Sequence, residues 1–253
     1  MNISDPQQFL DKLDDDTYCR IETRFGDIDR FLGPGDSFKF TCDRSGKCCK
    51  DRFDNPILLS PYDTYRLRNN LNISSRQFAD RFGHRILGAD SQLPILLLDF
   101  QQTSKHHNKC PFLMSYGCKT YKDRPLVCRM YPVGRAVDPA MNSYFFLTKT
   151  ADYCQLGCGK EYTIEQWLEK AEVEPYFEWN DRFNALYLEI DYEKYKGLDP
   201  EFKATFGNIL YDIDVIEKLL PRETLEVLSM SGEDKRLDLS LGLAKRFAEK
   251  FVK

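Results

Sequence analysis

The sequence predicts an α+β fold dominated by helix, with a loop-rich, cysteine-bearing part followed by a helical C-terminal part. Three observations carry this expectation. Eight of the nine cysteines fall into tight groups, Cys42/Cys48/Cys49, Cys110/Cys118/Cys128 and Cys154/Cys158, and none follows Cys158. Short apolar runs of strand character lie between these groups. From Thr163 onward, apolar residues recur at helical spacing instead. The chain therefore divides into an N-terminal adaptor, 1–36, a cysteine-cluster metal-binding domain, 37–162, and a helical region, 163–253.

Taken in order, Asp5-Pro6 opens a short amphipathic helix through Phe9, Leu10 and Leu13, and Gly33-Pro34-Gly35-Asp36 ends the adaptor in a turn. Phe38 and Phe40 alternate with polar neighbours, a strand pattern that leads into Cys42. Ser60-Pro61 reads as an N-cap with proline at the first helical position. The helix it starts runs to about Asn70, with Tyr62, Tyr65 and Leu67 inward. Ser74-Ser75-Arg76-Gln77 is a capping-box pattern for a second helix, through Phe78 and Phe82 to Gly83. Pro94 to Phe100 is a buried strand, residues 101–109 are a polar turn, and Tyr144 to Leu147 is a strand leading to Cys154. Thr163-Ile164-Glu165-Gln166 repeats the capping-box pattern. Helices are expected over Thr163–Ala171, Asp181–Lys194, Glu201–Leu220 and Leu237–Val252, with a short one at Arg222–Leu225. In the last long helix, Leu239, Leu241, Leu243, Ala244, Phe247 and Phe251 form a core-facing stripe.

Net charge is −4, with no basic excess that would favour nucleic acid. The acidic, polar start lacks the apolar segment of a secretory signal, and the longest apolar run, Ile95–Leu98, is too short to span a membrane. The expectation is a cytoplasmic protein, where clustered thiols hold metal more often than they form disulfides.

Soft thiolates at short spacing are what a metal ion or an iron–sulfur cluster needs. The adjacent pair Cys48-Cys49 points to a polynuclear cluster, two sites, or one ligand beside a bystander. Seven and nine residues separate the cysteines of the second group, wider than the paired knuckles of structural zinc sites. The candidate metal ligands are Cys42, Cys48, Cys49, Cys110, Cys118, Cys128, Cys154 and Cys158, with Cys19 left out. Arg124 and Arg129, with Arg135, are candidates to offset the charge of a thiolate-bound cluster; the alternative is that they cap carbonyls and form surface ion pairs. His106 and His107 lie in a polar run that reads as an exposed loop, and His84 at a helix end. Leu156-Gly157-Cys158-Gly159-Lys160 echoes the glycine turn of S-adenosylmethionine enzymes but lacks the apolar strand such a turn follows, so a structural turn is expected. No metalloprotease, P-loop, serine-hydrolase or dinucleotide motif occurs.

The stretches Cys42-Asp-Arg-Ser-Gly-Lys-Cys48-Cys49 and Cys110 through Cys118 to Cys128-Arg-Met-Tyr-Pro resemble the YkgJ-type cysteine-cluster family of zinc- or iron-chelating proteins. The resemblance covers roughly Ser37 to Ala171, and Arg124-Pro-Leu-Val-Cys128-Arg-Met-Tyr-Pro132 is its most specific part. Two departures stand out: Ser45 replaces a family cysteine, and Cys158 is an additional thiol. The pattern is also similar to the cluster region of flagellin lysine N-methylase, a longer iron–sulfur enzyme. The resemblance implies an iron–sulfur cofactor, 4Fe–4S in type, with zinc as the alternative. The resemblance does not extend to the helical part, whose charges and aromatics suit a protein partner that it binds or modifies, with S-adenosylmethionine-dependent lysine methylation one form of that role; the other role left open is an oxidoreductase or metal-handling protein. The aromatics Tyr176, Phe177, Trp179 and Phe183 are either part of that partner surface or internal packing.

Overall fold

The computed structural model describes residues 3–7, 28–42, 44–51, 56–89, 91–148, 155–215 and 234–251. The expected helix at Phe9–Leu13, the short one at Arg222–Leu225, Cys19 and Cys154 lie outside these residues. The fold is α+β, with small antiparallel sheets and a helix-rich C-terminal part. The chain divides into two units, each made from two separated stretches: Met1–Cys48 with Leu126–Phe177, and Cys49–Pro125 with Glu178–Lys253.

In the first unit, β1 (Ile28–Leu32) and β10 (Val133–Val137) flank β11 (Ser143–Thr148), both antiparallel to it. β2 (Ser37–Thr41) pairs with β12 (Gln155–Thr163). Alternation along β2 sends Phe38 and Phe40 inward, where both rings meet Trp167 edge-on at 5.6 and 5.5 Å. Trp167 sits on α4 (Ile164–Lys170), which begins in the expected capping box: Thr163 Oγ1 accepts from Gln166 N at 3.3 Å, and Gln166 Oε1 from Thr163 N at 3.1 Å. The Trp167 indole donates to the carbonyl of Met130, the last residue of α3 (Leu126–Met130), at 2.7 Å.

The second unit centres on a sheet in which β5 (Pro94–Leu98) lies between β3 (Leu58–Leu59) and β4 (Gly83–Leu87). α1 (Pro61–Leu71) starts at Ser60, whose hydroxyl accepts from Asp63 N at 3.0 Å while the Asp63 carboxylate accepts from Ser60 N at 2.9 Å. Its Tyr62, Tyr65 and Leu67 are buried, as the pattern predicts, and Asn72 closes it in the left-handed conformation. α2 (Ser75–Phe82) has the matching Ser74/Gln77 box. Two hairpins follow, β6 (Gln101–Ser104) with β7 (His107–Lys109), and β8 (Leu113–Met114) with β9 (Gly117–Cys118). The C-terminal helices are α5 (Glu174–Leu188), α6 (Tyr192–Lys196), α7 (Pro200–Tyr211) and α8 (Asp234–Phe251). α8 buries Leu237, Leu241, Ala244 and Ala248, and Phe247 stacks on Phe206 of α7 at 5.4 Å.

Several described elements differ from expectation, among them the helix expected over Glu201–Leu220, which ends at Tyr211 with Asp212 as its C-cap. His84 follows the Gly83 C-cap of α2 as expected, but the residues from Gly83 form a strand paired with β5, and the His84 Nδ1 meets the carboxylate of Asp99. The polar turn at 101–109 is a hairpin. α5 begins at Glu174 rather than Asp181, because Pro175 falls in its first turn, where proline is tolerated. It stops at Leu188, and Asp191 caps a separate short helix. No described helix is long and apolar enough to cross a membrane.

Candidate metal centre

In the second unit, Cys49, Cys110 and Cys118 are placed by backbone pairing. The stretch Cys49–Asp51 runs antiparallel to Asn108–Cys110: Cys110 N donates to Cys49 O at 2.8 Å and Asp51 N to Asn108 O at 2.9 Å, around the bridge Lys50–Lys109. This register sets Cys49 opposite Cys110. Asp51, at φ 56°, turns its carboxylate to accept from Asn108 N and to meet His107 Nδ1, both at 3.1 Å. Cys110 is buried. Two residues on, Phe112 packs on Phe78 and Phe82 of α2, with ring centroids 6.5 and 5.1 Å apart, which pins the loop. The β8–β9 hairpin, with Gly117 at φ 113°, then brings Cys118 opposite Leu113. The Cys118 sulfur lies 3.6 Å from the hydroxyl of fully buried Thr120.

In the first unit, Cys42 is exposed just beyond β2, Cys48 is half-buried in the 3₁₀ turn Lys47–Cys49, and Cys128 is exposed on α3. Cys158 was expected in a turn between Cys154 and the Thr163 helix. It lies instead in a bulge within β12. Leu156 faces Phe40 and Glu161 faces Lys39, so Gly157–Lys160 leave the ladder between successive β2 residues. Gly157 and Gly159 take φ of 81° and 86°, the left-handed region that favours glycine. Gly159 lies against Thr41 so closely that an added Cβ would sit 1.7 Å from its hydroxyl oxygen. Gly-Cys-Gly is thus what presents Cys158, exposed, beside the end of β2 that leads to Cys42.

The arginines have neighbours that spacing did not indicate. Arg129 is buried, and its Nη1 donates to the carbonyl of Ala171, the C-cap residue of α4, at 2.8 Å. Its guanidinium stands 4.7 Å from the Tyr176 ring centroid. Arg124 lies 4.0 Å over the Tyr121 ring and donates to the Tyr121 carbonyl at 2.6 Å. Arg135 covers Phe177 at 4.0 Å and donates to Ser143 Oγ. Carbonyl capping and ring stacking describe these three contacts. His106 and His107 are exposed, as expected. Sequence reasoning missed Thr120 and Asp123, which carry no spacing signature and become notable only through burial and partners.

All seven described cysteines are thiols. Among the described residues, no three Cys, His, Asp or Glu side chains are grouped to hold a metal ion. The donor set fits a zinc or iron group in kind, because soft sulfur ligands dominate it and aromatic residues interleave with them. Thiol-bearing loops on an α+β scaffold define the class: a cysteine-cluster domain. Residues 41–159, a little under half of the 253, match the CxxCxxCC family, described as “Putative zinc- or iron-chelating domain”. The matched stretch contains the cysteine groups from Cys42 to Cys158 on which the resemblance to a cysteine-cluster family rests. Comparisons with curated proteins and with solved structures gave no match.

Proposed function

We propose that the cysteine-cluster domain holds an iron–sulfur cluster, 4Fe–4S in type, in a reducing cytoplasmic setting. Its thiolate ligands are drawn from Cys42, Cys48, Cys49, Cys110, Cys118, Cys128, Cys154 and Cys158. One observation supports iron–sulfur over zinc. Cys110 and Cys118 are delivered by separate backbone features, a strand end and a hairpin, rather than by one tight knuckle, the usual zinc arrangement. When bound, such a cluster supplies a soft covalent cross-link between loops and a one-electron centre. The chain's own residues orient the thiols: Phe112 and the Cys49/Cys110 pairing fix one loop, and the glycines around Cys158 set another.

The cluster serves as scaffold, and the helical region recognises or modifies a protein partner, in the manner of a lysine methyltransferase. Tyr176, Phe177, Trp179 and Phe183 are buried, so a partner surface uses exposed polar residues of the helical region such as Glu201 and Lys235. Protein purified without oxygen should be brown and contain iron with acid-labile sulfide. Stoichiometric zinc without sulfide, from cells grown with ample iron, would overturn the iron–sulfur reading in favour of a zinc domain. A bound S-adenosylmethionine would support the methyltransferase role, and a reversible redox couple would support electron transfer instead.

A further inference from the structure

The loop between Cys110 and Cys128 is held by a polar clasp, centred on one buried carboxylate, that the cysteine pattern does not contain. Asp123 is 8 % exposed and accepts from Arg66 Nε at 2.9 Å, from Arg66 Nη2, and from Asn70 Nδ2 at 2.8 Å. Arg66 and Asn70 stand one turn apart on α1, so a single helix face grips this carboxylate. The Asp123 backbone N–H in turn donates to the carbonyl of Thr120 at 2.9 Å, and Lys119 N donates to Phe112 O at 2.8 Å. Between these two fixed points Thr120 is 0 % exposed, and its hydroxyl meets the Cys118 sulfur at 3.6 Å. A buried hydroxyl needs a partner. A metal-bound thiolate has no proton to give, so there the hydroxyl must be the donor.

Resting on the metal-binding reading, we infer that Thr120 is a hydrogen-bond donor to the Cys118 sulfur in the metal-bound protein, and that Asp123 is the positioning residue that holds it there. An O–H aimed at sulfur draws charge from the thiolate and so tunes both affinity and metal–sulfur electronics. Thr120→Val keeps the branched shape and removes the hydroxyl; Thr120→Ser keeps the hydroxyl and removes a methyl.

The test uses full-length protein, reduced and anaerobic, with Co(II) as the probe. Affinity is read by chelator competition, and the thiolate-to-cobalt charge-transfer band is read alongside. Thr120→Val should weaken Co(II) binding about tenfold, the lower end for loss of an outer partner of a ligand, and shift the band. Thr120→Ser should retain both values. Asp123→Asn should weaken binding, and adding Thr120→Val to it should weaken binding by less than the product of the two. Unchanged affinity and band in Thr120→Val would overturn the inference, as would equal losses in the Val and Ser variants, which would indicate packing alone. A wild type that takes up no Co(II), and holds neither zinc nor iron with acid-labile sulfide, would overturn the metal-binding reading itself. In that case the alkylation rate of Cys118 in metal-free protein, mapped by mass spectrometry, decides the contact: the same rate in wild type and Thr120→Val overturns it.

Discussion

Arg129 separates two accounts of the arginines flanking the cysteines, and Arg129→Met distinguishes them. The guanidinium is buried and donates to the Ala171 carbonyl, one of the acceptors left over where α4 ends. Methionine fills similar volume but leaves that carbonyl without its donor, which costs about 1–3 kcal/mol. Loss of the stacking on Tyr176 adds about 1–2 kcal/mol at a desolvated site. The contact with Glu172 is set aside, because that carboxylate is 76 % exposed and such pairs contribute about 0–1 kcal/mol. Against these losses stands the relief of no longer burying a charge, worth on the order of 1–2 kcal/mol. The net expectation is a loss of about 2 kcal/mol, or roughly 4–8 °C in melting temperature for a chain of this size. Denaturant titration of metal-depleted, reduced protein, followed by tryptophan fluorescence, measures it; Trp167 lies in the same unit. If metal-depleted Arg129→Met is as stable as wild type and only the metal-loaded form suffers, the arginine acts on the cofactor and the capping account fails.

Three further outcomes follow from named contacts. Ser60→Ala should lower stability by about 1 kcal/mol in thermal melts, because it removes half of the box that starts α1. Gly159→Ala should be much worse than Gly157→Ala: both sit at positive φ, but only Gly159 abuts Thr41, and an open site limits the Gly157 loss to about 1–2 kcal/mol. Melting temperatures of the two variants, compared side by side, check this order. Asp212 is held above the ordinary carboxylate range by burial, and then by the neighbouring Asp214 carboxylate. The folded state therefore binds this proton more tightly than the unfolded chain. Stability falls as pH rises from the ordinary value through the raised one, and the penalty is complete above it. Asp212→Asn should be the more stable protein at neutral pH, with the difference vanishing in acid; a constant difference across a pH series of denaturant titrations would contradict this.

What could be read from the sequence was mostly local. The boxes at Ser60, Ser74 and Thr163 were legible because a cap and its partner three residues on act without the rest of the chain. The alternation at Phe38 and Phe40 was legible because burial follows period, whereas the stripe on α8 was legible only in part: Leu241 and Ala244 are buried, but Leu237 and Ala248 are buried where Leu239 and Leu243 were expected, and those two are half-buried. The strand after Gly83 was not, since its exposed residues take that form by pairing with Pro94–Leu98. The bulge at Gly157–Lys160 was misread for a related reason: its shape exists only against β2. The cysteine groups were plain in the sequence. Thr120 and Asp123 were not, because their significance lies in partners on α1 and in burial.

The boundaries of the two units bear on how this protein is handled as a reagent. The family segment 41–159 cuts through both. Expressed alone, it would keep Met130 and Phe145 while losing Phe38, Phe40, Tyr162 and Trp167, which share one core with them. It would also strip β12 of nearly all of β2, and α1 of the C-terminal Trp179 that stacks on Tyr62. The matched stretch therefore leaves out part of the packing of each unit. During synthesis, β2 must wait for β12, more than a hundred residues later, before its edge is covered. Until then an exposed strand and several thiols coexist on an unfinished chain, a state in which a chaperone or early capture of metal would matter most.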